Sequence, residues 1–197
     1  MRAFIAAYLR QRTVLFLVVG GFMLASLLFV QFVSGTGGAP DSFLEAQRRG
    51  VGTAQEIAAL SAASMRAFND IARADTAGEY IAALDLVYGE MNRSRSMREN
   101  ALRLSEDLRR MTATLPDFSS SRARERAVQA INTELTLVVH LLSYNDLLVK
   151  TLEALRAKFL GFSEGGEPVS GLVSRMNEEI RAINALNDQF TKTINGI

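Results

Sequence analysis

The stretch from Val14 to Val33, VLFLVVGGFMLASLLFVQFV, contains no charged residue. As a helix its 20 residues span about 30 Å, the thickness of a bilayer's hydrocarbon core. It reads as a transmembrane helix, with Gln31 near enough to its end to reach the interface. Arg2, Arg10 and Arg12 precede the span, and the next basic residue is Arg48. That asymmetry places residues 1–13 in the cytoplasm and the bulk of the chain outside it, in a periplasm or at a cell surface. A cleaved signal peptide has an apolar core of only ~7–15 residues. Here the best small-x-small site, Gly37-Gly38-Ala39, would put Pro40 directly after the cut. The expectation is an uncleaved signal-anchor. Within it Gly21 and Ala25 form a small-xxx-small pair, a candidate site for helix packing in lipid.

Composition narrows the chemistry of the remainder. The chain has no cysteine, no tryptophan, three prolines and one histidine, His140. Disulfide scaffolds, cysteine-ligated zinc and thiol nucleophiles are excluded, and a histidine-based triad or metal site lacks members. A net charge of +1 supplies no basic field for nucleic acid. No GxSxG, Walker A, GxGxxG or HExxH pattern occurs. Glu178 and Glu179 are adjacent, so on a helix they diverge rather than converge as an acid–base pair. The expectation is a protein with no enzymatic activity, cofactor, metal or nucleic-acid partner.

Residues 34–40, SGTGGAP, read as a flexible linker, and residues 41–197 as an extracytoplasmic helical bundle. All 21 acidic residues lie in this second part, against 19 of the 22 basic ones, so it is close to neutral. Four helical patterns succeed one another, and no alternating strand pattern of useful length appears. The first opens at Ser42 with Glu45 as a capping box, and carries Val51, Ala54, Ala58, Met65, Phe68 and Ala72. Thr76 and Glu79 suggest a second capping box. The helix it would start runs to about Leu115, with Ala83, Val87, Ser94, Met97, Ala101, Leu104, Leu108 and Met111 at coiled-coil spacing. Its middle, Asn92 to Asn100, is polar on most faces and is expected to pack least well. After Pro116–Ser121 a third helix extends to about Leu160, striped by Val128, Ile131, Leu135, Val138, Leu142, Leu152 and Phe159. Gly161–Glu167 breaks it, and Pro168 suits the first turn of a fourth helix bearing Val173, Met176, Ile180, Ile183, Phe190 and Ile194. The fold expected is all-α: a transmembrane helix followed by an antiparallel four-helix bundle with coiled-coil-like packing.

Three groups stand out as candidate sites. Leu135–Leu142, LTLVVHLL, is apolar on every face, which marks Leu135, Leu137, Val138, Val139, Leu141 and Leu142 as a candidate partner interface. His140, Tyr144 and Asn145 form a candidate polar pocket or a polar layer that fixes helix register; His140 and Tyr144 are one turn apart. Arginines cluster at Arg93, Arg95 and Arg98, and again around the turn between helices two and three. Of the second cluster, Arg122, Arg124 and Arg126 are candidates for contact with lipid headgroups or an acidic partner near the membrane.

Gly78–Tyr88, GEYIAALDLVY, resembles the second helix of a tetratricopeptide repeat at Gly78, Tyr80, Ala83, Leu84 and Tyr88. The residues before it lack that repeat's tryptophan-leucine-glycine pattern, and one half-repeat cannot build a stacked array. Peptide binding is therefore not carried over. The anchor-plus-bundle layout is similar to the extracytoplasmic sensor half of bacterial chemoreceptors, which implies a ligand-sensing module. Chemoreceptors add a second span and a cytoplasmic signalling rod, neither of which follows here. The functional expectation is a membrane-anchored scaffold, adaptor or structural subunit of a cell-envelope assembly, working with other subunits or with itself. The alternative is a sensory module with its pocket near His140.

Overall fold

The structure, a computed structural model, describes residues 39–162 and 167–195, with side chains as far as Asp188. The membrane span read at 14–33, with Gly21 and Ala25, lies outside the described residues. Among the described residues the fold is all-helical: α1 (Asp41–Ala77), α2 (Tyr80–Ala113), a 3-10 turn (Leu115–Asp117), α3 (Ser121–Phe159) and α4 (Val169–Asn195).

The helix ends follow local chemistry, and two differ from the sequence reading. Pro40 caps α1 through its carbonyl, which accepts from the Phe43 and Leu44 amides at 3.0 and 3.2 Å. The expected Ser42–Glu45 capping box does not form: no side chain caps this end, and Glu45 instead pairs with Arg49 at 2.8 Å. Proline suits this boundary because its φ is fixed and it has no amide hydrogen to satisfy. The Thr76–Glu79 box is absent too, because α1 continues through Thr76, whose hydroxyl donates to the Ala72 carbonyl. Gly78, at φ 77°, ends α1 in a Schellman motif, with Glu79 N–H bonded to Ala74 O and Gly78 N–H to Asp75 O. Gly161, at φ 79°, closes α3 in the same way, through Phe162 N–H to Ala157 O and Gly161 N–H to Lys158 O. At the start of α3 the Ser120 hydroxyl accepts from the Ala123 amide at 3.3 Å.

Each helix packs on the next in the chain. Cross-links run in opposite directions along successive helices: Arg49 meets Asp107, Ser94 meets Asn145 and His140 meets Glu179. Consecutive helices are therefore antiparallel. Small residues on α1 (Ala46, Gly50, Ala54 and Ala58, all buried) allow α2 to come close. A β-carbon at Gly50 would already lie 3.4 Å from the Leu104 side chain. One end of the fold holds the start of α1 and the α2–α3 turn, joined by an edge-on Phe43–Phe118 contact at 4.9 Å. The opposite end holds the other two turns, tied by Lys158 to Asp75 at 2.7 Å.

The interior repeats at alternating steps of four and three. On α2 the buried line is Ala83, Val87, Glu90, Ser94, Met97, Ala101, Leu104, Leu108 and Met111. The stretch expected to pack least well is covered: Ser94 and Met97 are fully buried and Asn100 nearly so. On α3 the line is Ala123, Ala127, Ala130, Glu134, Leu137, Leu141, Tyr144, Leu148 and Thr151. This corrects the expected α3 stripe in part: Ile131, Val138, Leu152 and Phe159 are buried, whereas Val128 and Leu135 are exposed and Leu142 is only half-buried. A glutamate fills a core position of α3, and a stripe sought among apolar residues alone slips onto the neighbouring line. The core consists of two apolar clusters, a lower one from Phe43 to Leu141 and an upper one around Phe68, Val87, Leu148 and Met176. On α2 the two clusters are separated by Glu90 and Ser94.

Candidate functional site

The expected partner surface divides in two. Leu137, Val138 and Leu141 are 0, 2 and 6% exposed and belong to the lower cluster, so they cannot meet a partner. The reason is geometric: they lie on the side of α3 facing α2 and α4, and the bundle needs that side covered. Leu135 and Val139 point outward, at 36 and 64% exposure, and Leu142 lies at the edge of the core. Val128 (37%) extends this line, and Leu102 on α2 (52%) sits beside it. That last placement follows from the Arg98–Asp146 pair. Leu102 is one turn beyond Arg98 and Leu142 one turn before Asp146, so the antiparallel register sets the two leucines side by side.

The structure does not gather the expected polar pocket into one site. His140 is half-buried and its Nδ1 lies 2.6 Å from Glu179 Oε2 on α4. Tyr144 is buried in the upper apolar cluster. Asn145, 2% exposed, accepts a hydrogen bond from the Ser94 hydroxyl at 2.7 Å. Asn145 thus fixes α3 against α2, and His140 fixes it against α4. Glu179 escaped the sequence reading because its partner is set by the α3–α4 register, which no local spacing reveals. The one available signal was its place beside Ile180 in a clean apolar stripe.

Two buried carboxyls were also missed. Glu90 is fully buried on α2, and burial pushes its pKa up; the Ser64 hydroxyl on α1 and the Arg93 guanidinium, which pairs with it, pull the other way. Glu134 is 4% exposed on α3, and burial alone raises its pKa to about 7. Periodicity could have found both, since each sits in step with the apolar line of its own helix.

The arginines also separate into two kinds. Arg109 and Arg110 are both engaged by Glu106, and the hydrogen bond from Arg109, then that from Arg110, hold its carboxyl down at about 2. Arg93 pairs with Glu90, and Arg98 with Asp146. Arg122 and Arg124 are exposed at the first turn of α3 and Arg126 is half-buried there, at the end of the bundle where α1 begins. Cations at a helix N-terminus oppose its dipole, so Arg122 and Arg124 are not placed for the stability of α3.

An open concavity of about 600 Å³ borders the α1–α2 turn, lined by Gly78–Ala82 and Asp85. Its lining comes from one short stretch of chain. Among the described residues no group of three or more histidines, aspartates or glutamates could hold a metal ion. Among them one helix, α3, is long and apolar enough by length and composition to cross a membrane, and half of its apolar window is buried in the fold. A core helix of a bundle has this same character. No family model matches the chain, and neither a curated protein nor a solved structure matches it.

Proposed function

We propose that this chain is a membrane-anchored helical scaffold or adaptor, held by residues 14–33, whose bundle presents the outer face of α3 to other subunits of a cell-envelope assembly. The observation that carries the reading is the row of exposed apolar side chains on α3, Val128, Leu135 and Val139, with Leu102 beside them. Exposed apolar residues in a row, rather than scattered, mark contact surfaces. The uncharged stretch from Val14 to Val33 supports the anchor, and the arginines before it support a cytoplasmic N-terminus. Support for a membrane-proximal lower end comes from Ala39 and Pro40, which lead into α1 beside the α2–α3 turn. There Arg122, Arg124 and Arg126 would meet headgroup phosphates or an acidic partner.

The test is recovery of the full chain from native membranes through a C-terminal tag, after an alkaline-carbonate wash. Retention in the washed membrane, and a complex of fixed composition that Val139→Lys disperses, is the expected result. Release by the wash overturns the anchor. A complex indifferent to Val139→Lys overturns the use of this face.

A further inference from the structure

We propose that Glu134 is a pH-sensitive latch for the lower half of α4: protonated, it lets residues 183–187 seat against α3, and ionised, it lifts that segment away. The latch works on the core side of α3, so it depends neither on the anchor nor on the exposed face.

The registers of the bundle set its geometry. His140 meets Glu179. From that contact Glu134 lies about 9 Å down α3 and Asn187 about 12 Å along α4 at the helical rise, so the two share one level. Each is also the next buried step of its line, Glu134 after Leu141 and Leu137, Asn187 after Ile180 and Ile183. The Arg49–Asp107 and Ser94–Asn145 contacts bring the buried Gln47 of α1 to within about a turn of that level. Three helices thus each place one buried polar side chain beside the lower apolar cluster, and of these three only Glu134 ionises.

Charged groups stand around this layer without serving it. On α2, Asp107 is held by Arg49 of α1 at 3.1 Å and lies 3.9 Å from Arg110, while Glu106 engages Arg109 and Arg110. On α1, Glu45 and Arg48 are exposed, as are Arg181 and Asp188 on α4. On α3 the nearest are the half-buried Arg126 and His140, each more than one turn away. None of them shifts Glu134, whose pKa is raised to about 7 by burial alone. With no cation at hand, the ionised carboxyl has to find water.

Water reaches it at least cost on the α4 side. On the other side, small residues let α1 and α2 approach closely, and the Phe43–Phe118 contact ties the α2–α3 turn to α1. The α4 helix packs closely on α3 alone. Beyond Glu179, no ion pair joins α4 to another helix among the described residues. The upper half of α4 belongs to the other apolar cluster, through Leu172, Met176 and Ile180, and stays in place. The segment that lifts carries Ile183 and Leu186 off the lower cluster. Raising the pH from 5 to 8.5 increases the open-to-closed ratio by up to about 100-fold, the bound set by a shift from 4.5 to about 7.

The chain has no cysteine, so pairs of introduced cysteines carry spin labels cleanly. Asn132→Cys with Asp188→Cys spans the lower half of the α3–α4 contact, and Glu153→Cys with Ser174→Cys the upper half; all four positions are exposed. The full chain in detergent micelles, diluted with unlabelled chain, is frozen from pH 5 and from pH 8.5 for double electron–electron resonance. The lower pair should show one short distance at pH 5 and gain a longer population at pH 8.5. The upper pair and the helical circular dichroism should not change. Glu134→Gln keeps the shape of the carboxyl but cannot ionise, and should hold the lower pair short at both pH values. If Glu134→Gln loses its helical signal, Glu134→Leu carries the same test.

A lower pair with the same distances at both pH values overturns the proposal. So does a pH response that persists in the folded variant, because another group then drives it. Lower and upper pairs that lengthen together also overturn it, since the whole bundle is then loosening rather than one half of α4.

Discussion

Glu90 and Glu134 make a natural comparison: the same side chain, each in step with the apolar line of its helix, each buried. Glu90 shares the upper part of the bundle with Ser64 and Arg93, which offset part of the effect of burial. Glu134 lies in the lower part among alanine, leucine and isoleucine, and burial is the whole cause of its shift to about 7. A cation and a hydroxyl beside a buried carboxyl favour its charged form and oppose part of the upward push of burial. Where neither is present, burial pushes the group toward its protonated form unopposed.

The comparison breaks most sharply at Arg93. Removing one partner of a buried ion pair leaves a charge with nothing to replace water, at a cost of about 3 kcal/mol. Arg93→Met should lose about that much stability in urea unfolding at pH 8. Replacing both partners, Glu90→Met with Arg93→Met, should recover most of the loss. If Arg93→Met alone is neutral, Glu90 is not held as an ion, and the contrast with Glu134 disappears.

The reverse holds at Glu134. Its folded-state pKa of about 7 lies above the ordinary 4.5, so the native state binds a proton that the unfolded chain has already released. Stability is then greatest below about pH 4.5, falls as pH rises through about 7, and levels off above. The upper bound on that fall is roughly 3 kcal/mol, from the shift at 1.36 kcal/mol for each unit. Glu134→Leu should abolish the slope and stabilise the protein by about 2 kcal/mol at pH 8, with little change at pH 4.5. A wild-type protein equally stable at pH 4.5 and 8, with Glu134→Leu no better than it, would place this carboxyl in water.

At the boundary between the two clusters the polar group is neutral. Ser94→Ala leaves the Asn145 side-chain oxygen without its donor and should cost about 1–2 kcal/mol at any pH. Ser94→Ala combined with Asn145→Leu should recover part of that. A pH-dependent cost would mean that the layer is coupled to Glu90, four residues away on the same helix face.

How far the fold was legible follows from these same residues. On α2 and α4 the apolar line is dense enough to set the phase despite its polar members, and Met97–Met111 and Val173–Ile183 are buried as their spacing predicts. On α3 Glu134 interrupts the core line while Leu135 and Val139 populate the outer one, so two heptad phases compete and a single sequence does not choose between them. The choice is made by the alanines at 123, 127 and 130, small enough to let α2 approach, which carry little weight in a hydrophobic pattern. The helix starts at Ser42 and Thr76 were misplaced for a related reason. The Pro40 carbonyl opens α1 and the Gly78 turn ends it beyond Thr76, with Glu79 opening α2 through its backbone, so neither side-chain cap is used. The arginine-rich turn lies at the end where α1 begins, as up-and-down connectivity requires.

The smallest effect belongs to the His140–Glu179 contact, and it sharpens the comparison by supplying a carboxylate that is neither buried nor alone. Glu179 is 22% exposed at its side chain and His140 is 32% exposed, so water screens the pair from both sides. Pairs of this kind contribute ~0.2–1 kcal/mol. Glu179→Gln keeps a hydrogen-bonding group at the same position and removes only the charge. It should therefore cost no more than about 0.5 kcal/mol, with the loss erased by high salt. A larger loss that salt leaves untouched would mean that the contact is shielded from water, and that α4 is held to α3 by the same burial that governs Glu90.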